Sequence, residues 1–211
     1  MHKKLFAGNL SKRILALLGV GLLACALMAF SPVISHVNSS HAQATSSLDE
    51  HPFTIVSPNF TDGGWLPLSS EFGGPGSQGS GCSGKNMAPA LKWFNVPAGT
   101  KGFAFTINDV DAPVAGGFHH WIVYNIPANV DGLHGHGQNP FSEGTNSYGT
   151  IGYGGPCPPP DGQPHHYVFT VYALSVSHVS GEHITFEKLL QEIAPDVLGA
   201  TSIIGKFKLE S

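Results

Sequence analysis

The sequence predicts a mainly β fold with minor α: an antiparallel β-sandwich that carries one helix near its C-terminus. Three observations lead there. Short runs rich in aromatic and β-branched residues recur between turn signals, as strands do. One segment alone repeats its apolar residues at helical spacing. The chain also holds 27 Gly and 16 Pro, which implies long loops between short elements.

The elements begin after a leader. Lys3, Lys4, Lys12 and Arg13 precede an apolar run from Ile14 to Phe30, and a polar stretch ends in Ala42-Gln43-Ala44. This is the build of a secretory signal peptide cleaved after Ala44, so residues 45–52 form a mobile start and 53–211 the folded domain. The apolar run also sits at the lower edge of what spans a membrane, so an uncleaved anchor is the alternative. A lipid attachment at Cys25 fits less well, because the residues after it stay apolar. The expected location is the periplasm or the outside of the cell, with no membrane span once the leader is gone.

Phe53–Ser57 reads as a strand, Thr61–Gly64 as a turn, and Ser69–Gly84 as a Gly-rich loop. Ala90–Phe94 is a strand closed by the turn Val96–Thr100. Lys101–Asn108 is a strand with Phe103, Phe105 and Ile107 on one face, and Asp109 and Asp111 continue that parity past its end. His120–Ile126 is the next strand, and 131–147 is loop. Gly152–Gln163 is too rich in Gly and Pro for regular structure and feeds His165–Leu174, a strand of aromatic and β-branched residues. His165, Tyr167, Phe169 and Val171 share one face of it, and His166, Val168, Thr170 and Tyr172 the other. Phe186, Leu189, Leu190, Ile193 and Val197 recur at helical spacing behind Thr185 as N-cap, and Pro195 ends that helix. Ser202–Leu209 closes the chain as a strand.

Charge narrows the partners. All four leader cations leave with the leader, which leaves six lysines, no arginine and all 14 carboxylates, a formal charge of −8. Nucleic acid and anionic membrane surfaces need clustered cations and are excluded. Any bound phosphate must be held by His, Lys or backbone N–H. Cys82 and Cys157 are the cysteines of the mature chain. An even pair in an exported protein suggests a disulfide, and two unpaired buried thiols are the alternative.

Three polar clusters stand at strand ends: Asp109-Val110-Asp111-Ala112-Pro113, His119-His120-Trp121 and His165-His166-Tyr167. If their strands are neighbours, the clusters meet in one cavity. His119 and His166 point to the opposite faces and read as structural. Asp111 serves equally well as a turn cap. The pair His134 and His136 lacks a third ligand and reads as solvated loop, and no metal or cofactor is expected.

The motifs DVDAP (109–113), HHWIVYNIP (119–127) and GYGGPCPPPDGQPHHYVFTVYAL (152–174) resemble the phosphatidylethanolamine-binding protein family, which includes the Raf kinase inhibitor proteins. CSGKNMAPALKW (82–93) and PAGTKGFAF (97–105) are weaker matches. The GPCPP loop and the NIP ending bring the chain nearer the bacterial and archaeal branch. The resemblance implies a large antiparallel sheet packed on a smaller one. It also implies a pocket for a phosphate ester or phospholipid head group at Asp109, Asp111, His120, His165 and Tyr167, walled by Pro113 and Gly155-Pro156. Departures from the family pattern are Val110 between the aspartates, Ala88 before Pro89, and a Gly-rich insertion at 73–81.

The leading expectation is therefore a non-enzymatic binding protein for a small anion, with an unknown protein partner. A hydrolase using Asp and His has its acid and base but lacks a nucleophile in a recognisable setting, since there is no G-x-S-x-G. Its metal-assisted version would use Asp109, His120 and His165 as ligands. A protease inhibitor would act through the loops at 70–84 or 131–147.

Overall fold

A computed structural model describes residues 51–74, 80–134 and 140–209. The leader, residues 75–79 of the Gly-rich insertion, and Gly135 and His136 lie outside the described residues.

Two sheets face each other. The smaller has β1 (Thr54–Val56), β3 (Leu91–Phe94) and β6 (Gly132–Leu133) in the order β1-β3-β6. The larger runs β2-β9-β8-β4-β5-β7, where β2 is Gly64–Trp65, β4 Gly102–Asp109, β5 Phe118–Pro127, β7 Ser142–Glu143, β8 His165–Leu174 and β9 Val197–Phe207. Every pairing is antiparallel except β2 with β9, which is parallel. A sandwich of mostly antiparallel strands is the fold the sequence predicts.

The core fills the space between the sheets. Ile55, Leu91, Trp93 and Leu133 of the small sheet pack against Phe103, Phe105, Ile107, Trp121, Val123, Phe169, Val171 and Ile203 of the large one. Phe105 meets the Trp121 ring edge-on at 5.6 Å between centroids, an arrangement that adds roughly 1 kcal/mol to the burial itself. Each fully buried Phe side chain contributes on the order of 2 kcal/mol. Trp121 is not left with an unmet donor, because its Nε1–H donates to Glu143 Oε1 at 2.7 Å.

The helix α1 (Phe186–Ile193) covers the other face of the large sheet. Its residues Leu189 and Ile193 are buried there with Ala104, Ile122, Tyr124 and Leu174. The centre of the large sheet is therefore dry on both sides, which is why β4 reads as an almost unbroken buried run. The Thr185 side chain accepts from the Lys188 N–H as N-cap, worth about 1 kcal/mol. Pro195 turns the chain through a short 3₁₀ segment, Ala194–Asp196, directly into β9.

Four expectations are corrected. Gly64 is not only turn: with Trp65 it pairs β9. The loop 131–147 contains the short strands β6 and β7. The last strand begins at Val197 rather than Ser202, so the segment after Pro195 is sheet, paired with β8 from Leu174 onward. It ends at Phe207 rather than Leu209, two residues short of the reading. Pairing with the well-formed β8 overrides the weak strand preference of Gly199 and Ala200.

Candidate ligand-binding site

The three polar clusters come from adjacent strands, β8, β4 and β5. Antiparallel pairing sets the end of β4 beside the starts of its two neighbours, so Asp109 lies opposite Phe118 on one side and Tyr167 on the other. Topology alone thus gathers Asp109, His120 and His165 at one edge of the sandwich.

A register shift completes the gathering. Ile107 pairs with Trp121, but the next residue, Asn108, pairs with His119. His120 is the extra residue of a β-bulge. Strict alternation from Trp121 would turn His120 toward the helix and His119 toward the core. The bulge reverses them. His120 packs edge-on against Tyr167, with ring centroids 5.1 Å apart. His119 faces α1, where its ring stacks on Phe186 at 3.9 Å and its Nε2 pairs with Glu187 Oε1 at 3.0 Å. The hydrogen bond from its own backbone N–H, helped by Thr185 and by His119, holds the Glu187 carboxyl below its ordinary pKa.

Asp109 is the hinge of the cluster. Its Oδ2 accepts from His165 Nδ1 at 2.7 Å, with both side chains more than 90% buried. Its Oδ1 accepts from the Asp111 backbone N–H at 3.0 Å, an Asx turn that folds the β4–β5 loop back over the strand end. The His120 Nδ1–H donates to the Gly154 carbonyl at 2.7 Å, and the Gly154 N–H donates to the His120 carbonyl at 2.9 Å. Its Nε2, on the far side of the ring, is buried without a protein partner. Burial pushes the His120 pKa down to about 4, against the opposing pull of the Gly154 carbonyl and the Asp109 carboxylate. His120 is accordingly neutral at physiological pH. The Tyr167 hydroxyl is also buried without a partner, and burial followed by the nearby Asp109 charge raises its pKa.

A cavity of about 280 Å³ opens over this cluster, lined by Asp109, His120 and His165 together with Ala112, Pro113, Val114, Phe118, Tyr148, Cys157, Pro158, Pro159 and Ser80. Its polar groups are few and converge below largely apolar walls, the common build of a small-molecule site. No lysine lines it.

The remaining residues singled out from sequence stand around the cavity rather than on it. Asp111 accepts from both the backbone N–H and the Nδ1 of His166, each at 2.7 Å, and pins the β4–β5 loop to β8. Burial pushes its carboxyl up, but the His166 hydrogen bonds outweigh that and leave its pKa below the ordinary value. Gly155 and Pro156 form a second layer. The Gly155 N–H donates to Asn86 Oδ1 at 2.7 Å, and the Pro156 carbonyl accepts from Phe72 N–H at 2.9 Å. The wall itself is the next three residues, Cys157 to Pro159. Cys157 is joined to Cys82 in a disulfide with the Cα atoms 5.9 Å apart. Tyr167 lies beneath His120 and does not border the cavity.

Two aromatic wall residues escaped the sequence reading. Phe118 begins β5, and Tyr148 stands in what reads as featureless loop. Tyr148 stacks on Phe72 at 4.1 Å, meets Phe118 edge-on at 4.7 Å, and donates its hydroxyl to the Gly155 carbonyl at 2.9 Å. A lone Tyr amid Gly, Ser and Asn is the signal that marks it. Among the described residues no group of three or more His, Cys, Asp or Glu has metal-holding geometry, and no helix is long and apolar enough to cross a membrane.

A rigid sandwich with a preformed pocket at one edge defines the class: a small-ligand binding module. The phosphatidylethanolamine-binding protein profile matches residues 56–208, and the chain belongs to that family. It is 38% identical over 151 residues to the UPF0098 protein YbcL of Escherichia coli, covering 68% of this chain and 80% of that protein. It is equally identical over 159 residues to the putative lipoprotein LppC of Mycobacterium tuberculosis, covering 74% and 73% of the two chains. The crystal structure of E. coli YbcL, described as a new member of the mammalian PEBP family, superposes with a TM-score of 0.69 at 32% identity, covering 76% of this chain and all of that one.

Proposed function

We propose that the chain is an exported binding protein whose edge pocket takes a small anion, a phosphate monoester or phospholipid head group, and acts by binding rather than turnover. The observation that carries this reading is the convergence of His120, His165 and Asp109 on one cavity otherwise walled by apolar side chains. His165 Nδ1 is taken up by Asp109 Oδ2 at 2.7 Å, so Nε2 is the ring nitrogen left to meet an anion. Export rests on the leader signature at 1–44, and a relative bearing a lipoprotein name agrees with it. The relatives carry no enzyme names, and Cys157, a cavity wall residue, is engaged in the disulfide and is no free nucleophile.

The test is calorimetric titration of the mature chain with O-phosphoethanolamine between about pH 5 and 8. Affinity that rises as pH falls is the expected result, and it should vanish in His165→Ala. Absence of binding at every pH would overturn the reading.

A further inference from the structure

We propose that His120 makes the pocket selective for anions that carry a proton, so that a hydrogen-phosphate monoester binds and an isosteric sulfate ester does not. This rests on the anion-pocket reading and specifies its ligand class.

The argument is one of hydrogen-bond sense. A neutral imidazole has one N–H and one bare nitrogen. Gly154 fixes which is which at His120: a carbonyl oxygen only accepts, so the atom 2.7 Å from it, Nδ1, carries the hydrogen. Nε2 is then an acceptor. The His120 side chain lines the cavity, and its Nε2 is buried with no donor among the protein atoms. A buried acceptor without a donor is unfavourable, and the ligand is what can supply one.

The surroundings keep His120 in this state. The groups packed against it are the Tyr167, Tyr148 and Phe118 rings and the Gly154 carbonyl. Asp109 is near enough to favour the protonated ring, and His119 next in the chain disfavours it. Burial, with His119 acting in the same direction, outweighs Asp109 and the Gly154 carbonyl and holds the ring neutral down to about pH 4. No lysine borders the cavity to substitute for the missing charge.

The floor is therefore mixed. His165, held by Asp109 at Nδ1, donates through Nε2 whenever that nitrogen carries a proton, while His120 can only accept. A phosphate monoester monoanion matches both, giving an oxygen to His165 and its P–O–H to His120. A sulfate ester has no proton to give at neutral pH, so an oxygen lone pair would face the Nε2 lone pair. Sites built to pair a ligand hydroxyl reject analogues that lack it strongly.

The experiment titrates the mature chain with O-phosphoethanolamine and with 2-aminoethyl hydrogen sulfate, which share the ammonium arm. The phosphate ester should bind at least about 100-fold tighter near pH 6. Above the second phosphate pKa of about 6 the ligand loses its proton, and binding should then be accompanied by proton uptake, seen as a buffer-dependent heat. Imidazole ¹⁵N spectra of the unliganded protein should show His120 as the Nδ1–H tautomer, a readout independent of any variant. In His120→Leu the phosphate-to-sulfate ratio should fall toward one. Equal affinity for both esters, or an Nε2–H tautomer, overturns the selectivity while the anion pocket stands. Binding of neither ester overturns the anion pocket, and the selectivity with it.

Discussion

Asp109 Oδ2 and His165 Nδ1 stand 2.7 Å apart at the adjoining ends of β4 and β8, both almost sealed from solvent. Each side chain satisfies the other, and Asp109 also holds the β4–β5 loop through the Asp111 N–H. Removing one member of a buried pair strands its partner. Asp109→Ala is expected to lower stability by about 3 kcal/mol in urea unfolding and to abolish O-phosphoethanolamine binding. Asp109→Asn keeps an acceptor for the Asp111 N–H and should recover part of the stability without recovering the binding.

Burial of His120 gives a definite pH dependence. Its folded pKa of about 4 lies below the ordinary 6.5, so the unfolded chain binds the proton first as pH falls. The native state is most favoured above about pH 6.5 and loses roughly 3 kcal/mol from this group as pH falls to 4, after which the loss levels off. The lowered carboxyls of Asp111 and Glu187 act in the same direction, but only in their own range, below their ordinary values of 3.8 and 4.5. Thermal unfolding followed between pH 7 and 4.5 should therefore report mainly His120, and His120→Leu should flatten the slope.

The disulfide closes a loop of 75 residues between Cys82 and the cavity wall. Loop-closure entropy alone assigns it about 4 kcal/mol. Reduction, or Cys157→Ser, should lower the melting temperature by roughly 10 °C. Ligand affinity should fall as well, because Cys157, Pro158 and Pro159 form one side of the cavity. A variant with unchanged affinity would show the wall to be held by the Gly155 and Pro156 hydrogen bonds alone.

Gly155 admits no side chain. A Cβ there would sit 2.0 Å from the Ser70 carbonyl oxygen and 2.7 Å from the Phe72 nitrogen, both backbone atoms. Gly155→Ala must displace one of the two segments, at a cost of about 3 kcal/mol, measurable by denaturant unfolding. The same change at Gly149, whose space is open but whose φ is +77°, should cost only about 1 kcal/mol, from backbone strain.

The long elements were legible because each buries a regular pattern. His165–Leu174 is bounded in the structure as the aromatic and β-branched run predicts. The helix from Phe186 to Ile193 follows from its spacing and its Thr185 cap. The two-residue strands β2, β6 and β7 were not legible, since two residues show no periodicity and owe their pairing to neighbours far away in sequence. Asp109, His120 and His165 were placed at one site through three motifs, whereas Gly155 and Pro156 moved one layer back. Their hydrogen bonds go to Asn86 and Phe72, long-range contacts that no local pattern reports. Phe118 and Tyr148 read as filler for the same reason.

The bulge at His120 has a consequence for length changes in β5. Sequence identity there can be perfect while the site is lost: deleting either histidine of His119-His120 leaves one imidazole on a strand that must alternate strictly from Trp121. That imidazole would face α1, and His165 would be left as the single imidazole of the cavity floor. An insertion or deletion of one residue is thus a more complete eraser of the pocket than most substitutions, and homologous chains that align here with a single-residue gap should be expected to have given up the ligand while keeping the sandwich.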